Sequence, residues 1–246
     1  MIFVGTSGWQ YRWWKGAFYP NDVPQRAWLR YYAARFPAVE VNNSFYQLPR
    51  ESTFSRWRSE APDGFLFVVK ASRYITHIRR LRDCKDPVDL FWSRATLLRE
   101  KLGPVLFQLP PNFRADPPLL KDFLQVLPDK MRAAFEFRDD SWRVDDVVEA
   151  LDGAGAAWVL ADRPGLRVPL IVTGGWSYLR FHQGRSHHPK YARSKLRTWA
   201  DRIARFEARD VYAFFNNDEM AAAPEDAAAL IELLEGRNLD VYLGAH

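Results

Sequence analysis

The chain has 246 residues, 48% hydrophobic and 26% charged, which are the proportions of an ordinary globular protein. Its formal net charge of +5 permits an anionic partner, but no run of five or six like charges predicts a basic tail. Cys84 is the only cysteine, which excludes an internal disulfide and a cysteine-built zinc site. No stretch approaches the roughly 18 apolar residues of a membrane span, and the first residues lack the features of a secretion signal. We therefore expect a cytoplasmic protein with no membrane partner.

Eight short apolar runs follow one another along the chain, and each ends in polar or turn residues. Most are nearly continuous in Val, Leu, Phe and Ala, which is typical of parallel strands covered on both faces. The predicted strands are residues 2–5, 38–42, 65–70, 105–108, 133–138, 157–162, 177–182 and 211–216.

Helical patterns separate most of these strands, with apolar residues spaced at i, i+3, i+4 and i+7. Residues 163–176 are the exception, because two prolines and three glycines disfavour a regular helix there. The order predicts an α/β fold, a TIM-like (β/α)₈ barrel in which an irregular connection replaces the helix between strands 6 and 7. A doubly wound open sheet is the alternative, but no glycine-rich phosphate turn follows the first strand. With no repeat or linker in the sequence, we expect residues 1–246 to form a single domain.

Polar side chains gather at the carboxyl ends of seven of the predicted strands. Alternate residues of a strand share a face, so Glu136 lies with Arg138, Glu40 with Asn42, and Arg180 with His182. In a barrel of this kind the carboxyl ends of the strands and the loops after them build the active site. We therefore expect one polar pocket at this end of the barrel.

Several longer motifs occur in order over nearly the whole chain. They are Gly5-Thr6-Ser7-Gly8-Trp9, Trp14-Lys15-Gly16, Phe18-Tyr19-Pro20, Glu40-Val41-Asn42-Asn43-Ser44-Phe45-Tyr46, Lys70-Ala71 with Ile75-Thr76-His77, Phe107-Gln108-Leu109-Pro110-Pro111, Glu136-Phe137-Arg138 with Ser141-Trp142, Arg180-Phe181-His182 and Phe215-Asn216-Asn217-Asp218. In these motifs the sequence resembles the domain of unknown function 72 family, also called YecE-like. The resemblance implies a TIM-like barrel and no particular activity. The chain departs from the family where Gln183 separates His182 from Gly184, and where no glycines follow Asp218.

We interpret the polar pocket as the site of an enzyme that acts on an anionic small molecule bearing a phosphate or a carboxylate. Cationic side chains would clamp the anion, and two carboxylates would serve as general base and acid, which favours hydrolase or lyase-type chemistry. The predicted catalytic residues are Glu40, Glu136 and His182. The predicted substrate-binding residues are Asn42, Tyr46, Lys70, His77, Gln108, Arg138, Asp162, Arg180, Asn216 and Asn217.

Several alternatives stay open. The same side chains would also suit a structural network of ion pairs, or a barrel that binds a ligand without turning it over. Two carboxylates at a barrel mouth suit glycoside hydrolysis, although a cationic cluster does not match a neutral sugar. No cofactor is predicted except a divalent metal in one version of the site, held by Glu40, Glu136, Asp162 and His182. His187 and His188 are interpreted as surface residues of a loop.

Nucleic acid is the alternative partner. Aromatic and cationic residues alternate in the loop after the first strand, as they do on surfaces that stack bases, and a basic stretch follows the third strand. These residues are Trp9, Tyr11, Arg12, Trp13, Trp14 and Lys15, with Arg73, His77, Arg79, Arg80 and Arg82. Packing of the tryptophans against the rim is the simpler interpretation of the same pattern.

Overall fold

Eight parallel strands close into a barrel, and their order around the barrel is their order along the chain. The computed structural model describes residues 1–164, 168–183 and 189–243. The strands are β1 (Ile2–Ser7), β2 (Ala38–Val41), β3 (Leu66–Lys70), β4 (Leu102–Gln108), β5 (Ala133–Glu136), β6 (Ala157–Asp162), β7 (Ser177–Phe181) and β8 (Val211–Phe215). The α-helices are α1 (Trp28–Ala33), α2 (Asn43–Tyr46), α3 (Glu51–Glu60), α4 (Lys85–Ala95), α5 (Pro117–Val126), α6 (Asp145–Gly153), α7 (Arg193–Ile203) and α8 (Ala222–Glu235). The predicted (β/α)₈ barrel is confirmed.

Strand β1 is longer than its apolar run predicts, because Gly5, Thr6 and Ser7 pair with Ala38, Val39 and Glu40 of β2. Gly5 makes this pairing possible, since a Cβ at this position would lie 2.0 Å from the carbonyl oxygen of Ala38. The added residues bring Ser7 of β1 to the level of Glu40 on β2.

The lower part of the barrel interior is filled by apolar side chains. Inward-facing residues from all eight strands, with Trp176 just before β7, pack into one buried cluster. It consists of Phe3, Ala38, Val68, Leu106, Ala134, Ala157, Val159, Trp176, Tyr178, Tyr212 and Phe214. The outward faces of the strands pack against the helices in a second, larger cluster. Any chemistry in the barrel must therefore lie above this apolar plug, at the carboxyl ends of the strands.

The connection between β6 and β7 contains no helix in its described part, residues 163–164 and 168–176. Thr173 anchors it to the start of β6, because its Oγ1 donates to the Ala156 carbonyl at 2.7 Å and accepts from the Trp158 amide at 2.9 Å. The predicted irregular connection is therefore present. No helix among the described residues is long and apolar enough to cross a membrane.

Pairing between β5 and β6 ends one residue before the end of β5. The last pair is Phe135 with Trp158, whereas β6 itself continues to Asp162 and pairs with β7 as far as Phe181. The barrel wall is therefore split between β5 and β6 at its upper end. We call this opening the β5–β6 seam.

Candidate functional site

A layer of polar side chains lies directly above the apolar plug. The parallel register places Ser7 opposite Glu40 and Gln108 opposite Glu136. Six strands contribute to this polar layer, through Ser7, Glu40, Lys70, Gln108, Glu136 and Arg180, all of them buried.

Arg180 joins the two carboxylates of the layer. Its Nη2 donates to Glu40 Oε1 at 2.7 Å, and its Nη1 donates to Glu136 Oε2 at 2.5 Å. Glu40 also accepts hydrogen bonds from Ser7 Oγ at 2.7 Å and from the Tyr178 hydroxyl at 2.6 Å. The Arg180 guanidinium, from β7, therefore links β2 to β5 across the barrel interior.

Glu136 is the most heavily contacted group of the site. Its Oε1 accepts from Gln108 Nε2 at 3.1 Å and from Arg138 Nε at 3.2 Å, and it also accepts from Arg163 Nη2. His182 Nε2 lies 3.6 Å from the same oxygen. The carboxylate therefore orients two arginines, Arg138 and Arg163, whose side chains remain 29% and 22% exposed.

Both carboxylates are ionised at neutral pH. Burial alone would raise the pKa of Glu136, but Arg180, His182 and Arg138 together lower that pKa well below its usual range. Burial opposes ionisation of Glu40 in the same way, yet Arg180 and the hydroxyls of Tyr178 and Ser7 lower its pKa. A carboxylate with a lowered pKa is a poor proton donor, so neither glutamate suits the predicted role of general acid.

Lys70 and the two histidines of the site have lowered pKa values. Burial and the nearby Arg180 lower the pKa of Lys70 to about 8. Burial, followed by Lys70 and Arg138, lowers the pKa of His77 to about 4. Burial also lowers the pKa of His182, although Glu136 opposes this effect. Both imidazoles are therefore neutral at pH 7, and Lys70 has a substantial neutral fraction.

The structure brings most of the predicted site residues together. Asn216 joins the layer through His182, with its Nδ2 3.3 Å from Nδ1 of the imidazole. His77 packs edge-on against the Phe45 ring, and the Lys70 ammonium lies 4.1 Å from the centre of the same ring. Tyr46, the last residue of α2, is 74% exposed.

Asn42 is a further predicted site residue, on the same face as Glu40. Its Oδ1 is buried and has no hydrogen-bond partner among the described residues. An orphaned acceptor at the barrel mouth is available for a donor group of a ligand.

Asp162 and Asn217 do not belong to the polar layer, contrary to the sequence-based prediction. Asp162 faces outward, where its Oδ2 accepts from Trp199 Nε1 at 2.9 Å and lies 2.8 Å from Lys195 Nζ, both on α7. Asn217 Nδ2 donates to Asp226 on α8 at 2.7 Å. The alternation of strand residues explains both corrections, because each lies one position away from an inward-facing residue.

Arg163, Ser7 and Tyr178 are site residues that are absent from the sequence-based prediction. Strand β6 turns Ala157 and Val159 inward, and two further steps of the same alternation through Ala161 lead to Arg163. This alternation of inward-facing residues is the sequence pattern that identifies Arg163. Tyr178 was missed for a different reason, because a tyrosine within an apolar strand is more often a core residue.

A cavity opens at the β5–β6 seam beside Glu136. Its volume is about 220 Å³, and the two partly exposed arginines of the site lie in its wall with Arg143, next to the aromatic rings of Phe137 and Trp158. A groove of about 910 Å³ adjoins it between the β6–β7 connection and α7, and shares Arg143 and Arg163 with the cavity. Three guanidinium groups therefore line the cavity, together with the carboxyl groups of Asp139 and Asp140.

The metal set considered from the sequence is not assembled. Asp162 faces α7, and no group of three or more His, Cys, Asp and Glu residues within the described ranges is arranged to hold a metal ion. The oxygens of Glu40 and Glu136 already accept hydrogen bonds from arginines and hydroxyls.

Packing accounts for most of the aromatic loop after β1. Trp9 and Trp14 are buried, and Trp13 is 54% exposed. The indole groups of Trp13 and Trp14 both donate to the Asp218 carbonyl, at 2.9 and 3.2 Å. These two tryptophans therefore fix the loop after β1 to the loop after β8. His187 and His188 lie outside the described residues.

Comparisons with known proteins agree with this architecture. A family model described as "Protein of unknown function DUF72" matches residues 3–244. The chain is 26% identical to the UPF0759 protein YunF of Bacillus subtilis, over 96% of this chain and 95% of the relative. It is also 26% identical to the UPF0759 protein YecE of Escherichia coli K12, over 92% of this chain and 89% of the relative.

Solved structures give the same result. A DUF72 family protein from Thermotoga maritima is similar with a TM-score of 0.86 and 28% identity, covering 96% of this chain and 99% of that one. D-psicose 3-epimerase from Clostridium cellulolyticum, solved with D-tagatose, is similar with a TM-score of 0.58 over 95% of this chain and 98% of that one. At 10% identity this second likeness shows the barrel fold alone. With the family model matched over nearly its whole length, the chain belongs to the DUF72 family.

Proposed function

We propose that this protein is an enzyme that binds a small phosphate- or carboxylate-bearing molecule at the barrel mouth and transfers a proton on it. The observation that carries the proposal is the charge of the hydrogen-bonded network. Four cationic side chains, Lys70, Arg138, Arg163 and Arg180, share two carboxylates, Glu40 and Glu136. Two positive charges are left uncompensated when Lys70 is protonated, and buried charge without a counter-ion is costly. A bound anion would offset them.

The arginines at the seam are the groups suited to bind this anion. Arg138 and Arg163 each donate a hydrogen bond to Glu136 Oε1. Part of each side chain remains open to the 220 Å³ cavity. Guanidinium forks match phosphate and carboxylate oxygens in a bidentate geometry. Arg180 is 2% exposed and already donates to both carboxylates, so its role is to hold the site together.

We assign proton transfer to Lys70 and His182. A general acid or base works best when its pKa lies near the working pH, and the pKa of Lys70 at about 8 meets this condition. His182 is neutral and has one nitrogen near Glu136 and the other near Asn216. Glu40 and Glu136 then fix the cations in place rather than serving as general acid.

Titration calorimetry with inorganic phosphate and a panel of phosphorylated and carboxylated metabolites tests this proposal. We expect saturable binding to the wild-type protein and at least roughly tenfold weaker binding to Arg163→Met, since one charge-assisted contact is lost. Arg237→Met is the matched control, because Arg237 pairs with Asp201 at 2.6 Å on the outer helices. Equal affinities of the Arg163→Met and Arg237→Met variants would contradict the proposed anion site.

Single-stranded nucleic acid is the second candidate ligand. The observation in its favour is a set of exposed aromatic residues on the loops after β1, β2 and β3, namely Trp13, Tyr46 and Tyr74, at 54%, 74% and 46% exposure. Exposed rings beside cationic side chains are suited to stack bases. Fluorescence anisotropy with a labelled oligonucleotide would show binding that weakens steeply between about 50 and 200 mM salt. Absence of binding at the lower salt concentration excludes this candidate.

Once a ligand is known, turnover distinguishes an enzyme from a non-catalytic binding barrel. Lys70→Met should keep part of the affinity and lose the reaction if Lys70 transfers the proton. Unchanged turnover in that variant would assign the proton transfer to another group.

A further inference from the structure

Lys70 is a buried amine with an incomplete set of hydrogen-bond acceptors. An ammonium group carries three N–H donors. Within the described residues its one acceptor is Gln108 Oε1, at 2.7 Å, and this acceptor is neutral. The Phe45 ring covers another side of Nζ at 4.1 Å. The side chain is 8% exposed, so part of it still faces the barrel mouth.

Lys101 shows how this chain holds a buried ammonium that serves the structure. Lys101 is 5% exposed, and its Nζ donates to the carbonyls of Arg58 at 2.9 Å and Ala61 at 2.6 Å. The Asp63 carboxylate lies 3.7 Å away. Lys101 thus has two carbonyl acceptors and a nearby carboxylate, whereas Lys70 has one neutral amide acceptor and a ring.

The electrostatics of Lys70 agree with this contrast. Burial and the repulsion of Arg180 lower its pKa, and they outweigh the attraction of Glu40 and Glu136. With a pKa of about 8, roughly one Lys70 side chain in ten carries the neutral, nucleophilic amine at pH 7. A buried lysine of lowered pKa is the type of group that forms imines with carbonyl compounds.

The anion site lies beside this amine. Gln108 accepts from Lys70 and donates to Glu136 Oε1, the oxygen that Arg138 and Arg163 also contact. One amide side chain and one carboxylate oxygen therefore separate the amine from the two guanidinium groups. A small molecule held by its anionic end at the arginines would present its other end towards Lys70.

We propose that Lys70 forms a covalent imine with the carbonyl group of a small substrate that also bears a phosphate or a carboxylate. This inference rests on the proposed anion site and adds the substrate class and the nucleophile. In the first step the Nζ lone pair adds to the carbonyl carbon, and the oxygen takes the proton that the nitrogen loses, giving a carbinolamine. In the second step a proton from solvent lets the hydroxyl leave as water while the nitrogen lone pair forms the C=N bond. The sum consumes one proton, releases one water and leaves a protonated imine, whose positive charge Glu40 and Glu136 stabilise.

Trapping with borohydride tests the imine, because hydride reduces the C=N bond to a stable secondary amine. The full chain is incubated with sodium cyanoborohydride and either pyruvate or glyceraldehyde 3-phosphate. Acetone and glyceraldehyde are the matched neutral probes. Peptide mass spectrometry then measures the modified fraction of each lysine. Lys101 and exposed lysines of the same chain provide an internal reference that needs no variant.

We expect modification of Lys70 by an anionic probe to exceed that by its neutral counterpart about tenfold, and to increase as the pH rises from 7 to 8. Lys70→Arg should lose the adduct at this position and keep phosphate binding, because the charge is retained. Arg163→Met should lose the preference for anionic probes.

The outcomes separate this inference from the function proposed above. Phosphate binding with Lys70 no more modified than exposed lysines overturns the imine and leaves the anion site standing. Equal modification of Lys70 by anionic and neutral probes overturns the assigned substrate class. Loss of phosphate binding in Arg163→Met, together with preferential modification of Lys70 by anionic probes in the wild type, supports both.

Discussion

Lys70 donates its hydrogen bond to Gln108 across 2.7 Å, so a neutral amide receives the buried ammonium. Gln108 in turn donates a hydrogen bond from its Nε2 to Glu136 Oε1 at 3.1 Å. The amide keeps the carboxylate one side chain away from the amine. Burial and the nearby Arg180 then lower the pKa of Lys70.

Replacing this amide by a carboxylate should raise the pKa of Lys70. Gln108→Glu places a negative charge at hydrogen-bond distance from the ammonium, which favours the charged form. We expect acetic anhydride to modify Lys70 at least about tenfold more slowly at pH 7.5 in this variant, because the pKa moves from about 8 towards the ordinary 10.4. Competitive labelling followed by peptide mass spectrometry measures the rate, with Lys121 on the surface of α5 as reference. An unchanged rate at Lys70 would show that Gln108 does not control its basicity.

Lys70 should also make the stability of the protein depend on alkaline pH. Its folded-state pKa of about 8 lies below the unfolded value near 10.4, so the unfolded chain binds more protons between these two pH values. The free energy of unfolding contributed by Lys70 therefore rises with pH from about 8 to about 10. Urea unfolding of the wild type and of Lys70→Met at pH 7, 8, 9 and 10 measures the difference. We expect that difference to shift in favour of the wild type as the pH rises. A difference that does not change over this interval would mean that the amine is solvated in the folded protein.

Removal of Arg180 should destabilise the barrel strongly and in a pH-dependent way. Arg180→Met leaves Glu40 and Glu136 buried without their shared partner, which costs about 3–5 kcal/mol at neutral pH. In the wild type the two lowered pKa values stabilise the fold above the ordinary carboxyl pKa, and this stability is lost as the pH falls through the folded-state values. In the variant both carboxyl groups can protonate at a higher pH. The difference in unfolding free energy between wild type and variant should therefore be smaller near pH 4 than at pH 7. Arg237→Met, on the outer helices, should change stability by about 0–1 kcal/mol at either pH.

Asp162 and Arg163 are adjacent in sequence and should behave oppositely. Asp162→Asn weakens the contact with Lys195 on α7 and is expected to lower the free energy of unfolding by about 1–2 kcal/mol, with phosphate affinity changed less than about twofold. Arg163→Met should lower phosphate affinity instead. Thermal unfolding and titration calorimetry on both variants measure the two effects. A large loss of phosphate affinity in Asp162→Asn would contradict the outward orientation of Asp162.

The strand alternation visible in the sequence predicted much of the polar layer. Glu40, Glu136 and Arg180 fall at inward positions of apolar strands, so their proximity follows from the barrel fold and from parity. In β6 the same alternation excludes Asp162, the last polar residue of the strand, and leads to Arg163, which continues the inward series.

The partners of each side chain required three-dimensional geometry. That Arg180 would reach both carboxylates depends on the width of the barrel, which no local pattern encodes. The role of Gln108 as a link between Lys70 and Glu136 likewise depends on the lateral spacing of three neighbouring strands.

The β5–β6 seam gives the site a second approach. In a closed barrel a ligand reaches the polar layer along the barrel axis. Here the wall is also open laterally above Phe135 and Trp158, and the cavity at that opening has Arg138 and Arg163 in its lining. A ligand with its anionic group at these arginines and its carbonyl group towards Lys70 can therefore carry a further, distal part that lies in the groove against α7. Residues on the outer surface of the barrel would then determine which distal groups are bound. Substitutions among these residues would leave the buried charges of the polar layer unchanged.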